Sequence, residues 1–128
     1  MRWKRRRSSA SSCRAACERG GLRDAAPLEW ALQTAVTVVL ASSGYPRSSS
    51  SGDVISGLDD VGPDVLVTHA GTARNTAGEI VTAGGRVLSV TALGDDAAGA
   101  RSGAYAAADM IQFSGRQLRR DIALRAVR

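Results

Sequence analysis

Aromatic side chains are scarce: Trp3, Trp30, Tyr45, Tyr105 and Phe113 are the five in 128 residues. Any core must therefore be assembled from Val, Leu, Ile and Ala. Cysteine is nearly absent, and Cys13 and Cys17 are too few for a disulfide scaffold. Their spacing is not the two-residue gap of common zinc knuckles and redox pairs, and the single histidine, His69, lies far along the chain. That argues against a metal site. Two free thiols fit a reducing compartment, and a cytoplasmic location is expected. No apolar run approaches the roughly 20 residues that cross a bilayer, so no membrane partner is expected. The basic start is followed by Ser, Ala, Cys and Arg, not by the apolar block of a secretory signal.

Lysine is almost missing too, with Lys4 alone, yet the net charge is +5. Residues 1–29 carry eight Lys/Arg against Glu18, Asp24 and Glu29, whereas residues 30–128 carry nine of each sign. The excess charge thus belongs to a leader and the body is neutral. A nucleic-acid binder would carry positive charge on its folded surface, so nucleic acid is an unlikely partner. The arginine-heavy, alanine-rich composition points to coding bias more than to phosphate contacts. The leader alternates Arg, Ser, Ala, Gly and Cys with no sustained apolar period, and is expected to be basic and disordered. It reads as a transit peptide, as a basic tail for nucleic acid or membrane, or, the favoured reading, as sequence with no evolved role left by a displaced start or a truncated reading frame. The neutral body, 30–128, is expected to form one domain, which a chain this long can support with a single core.

What is present is organised around residues 82–94, Thr-Ala-Gly-Gly-Arg-Val-Leu-Ser-Val-Thr-Ala-Leu-Gly. Gly84-Gly85 allows a tight turn, and a β-branched strand follows. Val87, Ser89, Thr91 and Leu93 fall on one face, and Arg86, Leu88, Val90 and Ala92 on the other. Both faces are largely apolar, which predicts a strand inside the sheet. Upstream, Leu28, Trp30 and Leu32 alternate, and Ala35–Ala41 is the clearest strand. Tyr45-Pro46 ends it, and residues 47–51 form a serine-rich loop. Asp53–Leu58 reads as a short extended piece and Val65–His69 as the next strand, ended by Ala70-Gly71-Thr72. Residues 73–78 read as a polar turn, with 79–82 returning as the second arm of a hairpin. Asp95 is the expected N-cap of a helix beginning at Asp96. Ala97, Ala100, Ala104, Tyr105, Ala108, Ile111 and Gln112 form its stripe, with Phe113 closing it. Residues 116–128 read as a second short helix or tail. Strands first and a helix last predict an α+β fold, a small antiparallel sheet module with a helix packed on it.

These residues carry a resemblance. Gly44-Tyr45-Pro46, Gly52-Asp53 with Ile55 and Gly57-Leu58, His69-Ala70-Gly71-Thr72, Gly84–Gly94, Ala104-Tyr105 and Arg119-Arg120-Asp121-Ile122 occur in one order. Together, over about residues 30–128, they resemble the carboxy-terminal domain of phosphoribosylamine–glycine ligases. The resemblance implies a β-rich, rudimentary hybrid-motif or barrel-sandwich-like module of the kind that closes biotin carboxylases. It implies an enzyme that joins glycine to phosphoribosylamine in de novo purine synthesis, with ATP and Mg²⁺ held by a separate ATP-grasp domain. Glycinamide ribonucleotide is then the product. This chain has no ATP-grasp part and none of its nucleotide loop or metal carboxylates, so no cofactor is expected in it. It is expected to be inactive alone, and an ATP-grasp domain supplied in trans is a possible partner. The alternative is a non-catalytic interaction module docking on a separate ATP-grasp protein. The sheet face that meets that domain should be exposed and apolar.

The resemblance also directs attention to the substrate cleft, in positioning rather than catalytic roles. Gly84, Gly85 and Arg86 come first, since a glycine turn beside an arginine can approach a phosphate or ribose. Against this, the glycines suit the turn itself and Arg86 could pair with an acid such as Asp53. His69, Gly71 and Thr72 come second, with a hydrogen-bonded structural histidine as the plainer alternative. Tyr45 is third, against core or interface packing. Arg119, Arg120 and Asp121 are expected to form surface or helix-end ion pairs.

Overall fold

A computed structural model describes Gly21 and residues 31–127. Apart from Gly21, the expected leader, including both cysteines, and the Leu28–Trp30 alternation lie outside the described residues. Within 33–127 the chain forms six strands and one helix: β1 Thr34–Ala41, β2 Ser51–Val54, β3 Val65–His69, β4 Thr72–Arg74, β5 Ile80–Ala83, β6 Arg86–Gly94 and α1 Ala97–Met110. The strands make two three-stranded antiparallel sheets, ordered β1-β6-β3 and β2-β5-β4. The α+β module with a helix on its sheet is as expected.

β6 is the central strand of the first sheet, because Val, Leu and Ala alternate there with nothing charged after Arg86. Val38 pairs with Val90 and Leu40 with Leu88 on one side, and Val67 with Val90 on the other. This face is covered by α1, whose Ala100, Ala104, Ala107 and Ala108 are buried with Val36, Val38, Leu40, Leu88, Val90 and Ala92. Short alanines let the helix approach closely. A Cβ on Gly94 would collide with the Ala100 amide nitrogen, and one on Gly103 would lie 3.2 Å from the Ala92 Cβ.

The opposite face is less apolar in its setting than the alternation implied. Val87 is buried, but Ser89 and Thr91 are half-buried and Leu93 is 49% exposed. Val39 and Leu66 are exposed beside them, and Thr37 and Thr91 hydrogen-bond to each other at 2.8 Å. The open face thus combines methyl groups with hydroxyls that satisfy one another.

Other expectations need correction. Thr72–Arg74 is a strand, not the start of a turn, and it is β4 that pairs with β5, while β3 pairs with β6. The turn is correspondingly shorter: Asn75 Oδ1 accepts from the Ala77 and Glu79 amides, both at 3.0 Å. The N-cap is Asp96, whose Oδ1 accepts from the Gly99 amide at 2.7 Å, one residue later than expected. The helix stops at Met110, before Phe113. There Ser56 and Gln112 exchange two backbone hydrogen bonds, so Gln112 is spent on a bridge and is exposed. After Gly115 the chain is irregular, apart from an isolated bridge at Gln117 and a 3-10 turn at Leu124–Ala126. Leu118 and Ile122 pack on the core, whereas Leu124 and Val127 are exposed.

Candidate functional site

Every residue that sequence reading assigned to a cleft falls at the corner where the two sheets meet. The ladder between β3 and β6 does not stop at the sheet boundary. Ala70 N–H donates to the Val87 carbonyl at 3.0 Å, Gly71 N–H to the Arg86 carbonyl at 2.8 Å, and Ala83 N–H to the Gly71 carbonyl at 2.8 Å. Thr72 then pairs with Thr82. Residues 65–74 and 80–94 therefore form one long hairpin, bent at Gly71 on one arm and Gly84-Gly85 on the other. The second arm carries extra residues at the bend, which turns the ladder from one sheet into the next, as a bulge does.

The glycines are explained by the chain itself. A Cβ on Gly71 would lie 2.7 Å from the Arg86 carbonyl oxygen and 2.9 Å from the Gly84 Cα. A Cβ on Gly85 would lie 2.5 Å from Cδ2 of Tyr45. The Tyr45 ring thus occupies the space that a side chain at 85 would need, and remains 40% exposed. The Gly85 carbonyl is held by Ser42, whose amide donates at 2.9 Å and whose hydroxyl donates at 3.4 Å. Ser42 is completely buried and was not singled out from the sequence, where a serine after a strand carries no signal of its own.

Three polar side chains stand around this bend. His69 Nδ1 and Thr72 Oγ1 are 3.0 Å apart, which fixes the imidazole from one side. Arg86 is exposed and has no ion-pair partner among the described residues. The alternative of a pairing with Asp53 is not realised. That carboxylate instead accepts from Ser50 Oγ at 2.7 Å and Thr82 Oγ1 at 3.2 Å, while Thr82 Oγ1 accepts from the Asp53 amide at 3.1 Å. Asp53 therefore fastens β2 to β5. Among the described residues no three His, Cys, Asp or Glu side chains are grouped to hold a metal ion.

The Arg119–Ile122 motif serves a different end. Tyr105 Oη donates to the Arg119 carbonyl at 2.6 Å and accepts from the Ile122 amide at 3.1 Å. Arg101 lies 4.7 Å above the Tyr105 ring and donates to the Ile122 and Arg120 carbonyls at 3.0 and 2.7 Å. One aromatic and one arginine thus clasp the terminal segment onto α1. As expected, the charged members form ion pairs, Arg120 with Asp109 and Arg119 with Asp121. The hydrogen bond from Arg120 holds the Asp109 carboxyl below the ordinary carboxylate range, against an opposing desolvation. Arg119 does the same to Asp121. A carboxyl depressed in the folded state stabilises above its unfolded pKa and loses that contribution as pH falls through the folded one. Urea midpoints should therefore be level in these pairs' contribution above about pH 5 and decline below about pH 4. Asp109→Asn should reduce the difference between pH 7 and pH 3, and an unchanged difference would contradict the assignment.

Comparison with known proteins agrees with this architecture. The family model for the phosphoribosylglycinamide synthetase C domain matches residues 35–125. Phosphoribosylamine–glycine ligase from Neisseria meningitidis serogroup A is 50% identical over 107 residues, covering 84% of this chain and 25% of that protein. The Streptomyces coelicolor ligase is 50% identical over 111 residues, again 84% of this chain, and 26% of its own length. The crystal structure of the Thermotoga maritima ligase superposes with a TM-score of 0.76 at 35% identity, covering 89% of this chain and 27% of that one. The chain thus spans about a quarter of the length of the relatives it matches. With nearly all of the two-sheet module inside the matched range, the chain belongs to the phosphoribosylglycinamide synthetase C-domain family.

Proposed function

We propose that this chain is the substrate-lining carboxy-terminal module of a phosphoribosylamine–glycine ligase. Its work is to position phosphoribosylamine and its product glycinamide ribonucleotide during the ATP-dependent joining of glycine in purine synthesis. The observation that carries this is the hairpin bend, which brings Tyr45, His69, Gly71, Thr72, Gly84, Gly85 and Arg86 to one corner of a family-matched domain. Because Gly71 and Gly85 are filled by neighbouring chain, their role is to build the bend. The exposed Arg86 and His69, the half-buried Thr72 and the ring of Tyr45 are the groups that meet substrate.

Activating the glycine carboxylate by phosphoryl transfer requires metal and cations positioned around the phosphates. The described residues do not supply them, so the isolated chain is inactive and ATP and Mg²⁺ belong to the remaining part of the ligase. The test is an ATP-dependent glycine ligation assay on the purified 128-residue chain, alone and mixed with a relative from which the matching quarter has been removed. No product alone and product with the mixture are expected. Turnover by the chain alone would refute the reading.

A second reading, a non-catalytic module docking on a separate ATP-grasp protein, draws support from the open sheet face. Val39, Leu66 and Leu93 are exposed there with no charged residue between them, a composition suited to an interface core. Co-elution with the truncated ligase without rescue of activity would favour it. No helix among the described residues is long and apolar enough to cross a membrane. We assign the chain to the cytoplasm, without nucleic-acid partners, on its thiol content and its neutral body.

A further inference from the structure

β3 ends its sheet, in the order β1-β6-β3, and its outer edge carries none of the devices that usually close one. Val65–His69 holds no Lys or Pro, its register against β6 runs unbroken, and His69 is its only titratable residue. The ladder fixes which groups point outward. Ala70 N–H donates to the Val87 carbonyl, so Thr68 and Leu66, alternate residues on the same strand, also turn their amides to β6. Val65 N–H donates instead to the Gly62 carbonyl at 3.2 Å, as the alternation requires. The amides and carbonyls of Val67 and His69 therefore face outward, and none meets a backbone partner among the described residues. The far edge of β1 differs, because Ala41 exchanges two bonds of 2.8 Å with Gln117. Leu66 is 64% exposed on the open face, while Val65 and Val67 lean on the core from the helix side.

We propose that this edge pairs with the same edge of a second copy of the chain, antiparallel and centred on Val67, joining two three-stranded sheets into one. The inference goes beyond the cleft reading and does not rest on it. Self-complementarity selects a second copy. About a two-fold axis at Val67, the two Val67 residues face each other, Val65 faces His69 and Leu66 faces Thr68, so the outward backbone groups of one copy answer those of the other. Charge selects the antiparallel sense. Asp59, Asp60 and Asp64 lie exposed in the connection that enters β3. Arg86 lies at the opposite end, where its carbonyl accepts from Gly71 N–H, and it has no ion-pair partner among the described residues. Antiparallel pairing sets Asp64 of one copy beside Ala70 of the other, two strand spacings or about 10 Å from that copy's Arg86 backbone, which an arginine side chain spans. Parallel pairing would set acid against acid. Val67 against Val67 also extends each core toward the other on the helix side.

Strands of five residues bury less than the standard interface of about 1,600 Å², so the association is expected to be weak. Sedimentation velocity of the full chain in reducing buffer, from low micromolar to millimolar concentration, should show a reversible shift from monomer to dimer and no further, because a two-fold pairing closes on itself. Amide exchange reads the edge directly. Val67 and His69 should exchange more slowly as concentration rises, while Leu66 and Thr68, already bonded to β6, should not change. Leu66→Lys, which sets a guard charge on the edge, should weaken the dimer at least tenfold. Val39→Lys, on the same open face but on β1, should leave it as it is. Leu66 is exposed, so the variant should keep the wild-type circular dichroism; should it unfold, amide exchange in the unaltered chain carries the test. A monomer at every concentration would overturn the pairing, as would growth beyond two copies. Equal loss of association in Val39→Lys and Leu66→Lys, with the Val67 and His69 amides unprotected, would mean that the open faces pack together, and would overturn it too. None of these outcomes bears on the ligation assay, so the two readings fail separately.

Discussion

Leu88→Ala is expected to destabilise the domain by about 2–5 kcal/mol, toward the upper end of that range. Leu88 is fully buried on the central strand, between Leu40 on β1 and His69 on β3. Truncation removes the transfer free energy of three carbons and leaves a void. Whether a void closes depends on neighbours long enough to reach into it. Here the helix overhead presents Ala100, Ala104, Ala107 and Ala108, which have no side-chain length to give. The helix itself cannot sink, because its first turn already touches Gly94 and its middle touches Ala92. A domain of this size is stable by about 5–15 kcal/mol, so the variant should lose a large share of its stability margin. The same truncation at Leu93, half-exposed on the open face of the same strand, should cost within about 0.5 kcal/mol. Urea denaturation of both variants checks the contrast, and similar midpoints would mean that α1 does not seal the core as described.

Gly57→Ala is expected to cost about 3 kcal/mol with no loss of apolar burial. Gly57 has φ +79, where a Cβ costs about 1–2 kcal/mol. That Cβ would also strike the carbonyl oxygen of Met110 at the helix end. Backbone must then move, and the nearest contacts are the two Ser56–Gln112 hydrogen bonds at 2.9 and 3.0 Å. Each contributes about 0.5–1.5 kcal/mol. Gly78→Ala offers the control: φ is +84, but nothing lies within 4 Å of its Cβ, so only the backbone term remains. A Gly57→Ala variant no worse than Gly78→Ala would show that the helix end tolerates displacement.

These two positions also show where the sequence was legible. Strand β6 was readable because period-two alternation in Val and Leu has no competing explanation, and α1 because alanines recur at helical spacing after an aspartate. The end of α1 was not readable. Nothing in Ile-Gln-Phe forbids another turn of helix, and it stops where a distant segment, Ser56, takes the backbone groups of Gln112. β4 was hidden for a similar reason. Thr72-Ala73-Arg74 is too short to display alternation, and its strand character comes from pairing with β5 across a turn. The cap was expected at Asp95, and it is Asp96 whose Oδ1 takes the Gly99 amide. At the candidate site, residue types were legible but their reasons were not. Gly71 and Gly85 announce freedom from a side chain, and only the fold reveals that Gly84 and Tyr45 fill the space.

The bent hairpin has a consequence for how the domain assembles. Its short inner part, Thr72–Arg74 against Ile80–Ala83, closes over a five-residue connection, 75–79, and so forms at small entropic cost. Once that inner part is zipped, continuing the same pairing outward delivers β3 alongside β6 with no further search. β1 must still arrive from far along the chain. Slippage by one residue in the inner part would be transmitted through Gly71 to the outer part, turning Val67 and Val90 away from the helix together. The two sheets are thus mechanically a single ribbon, and hydrogen exchange should report one opening event for both arms.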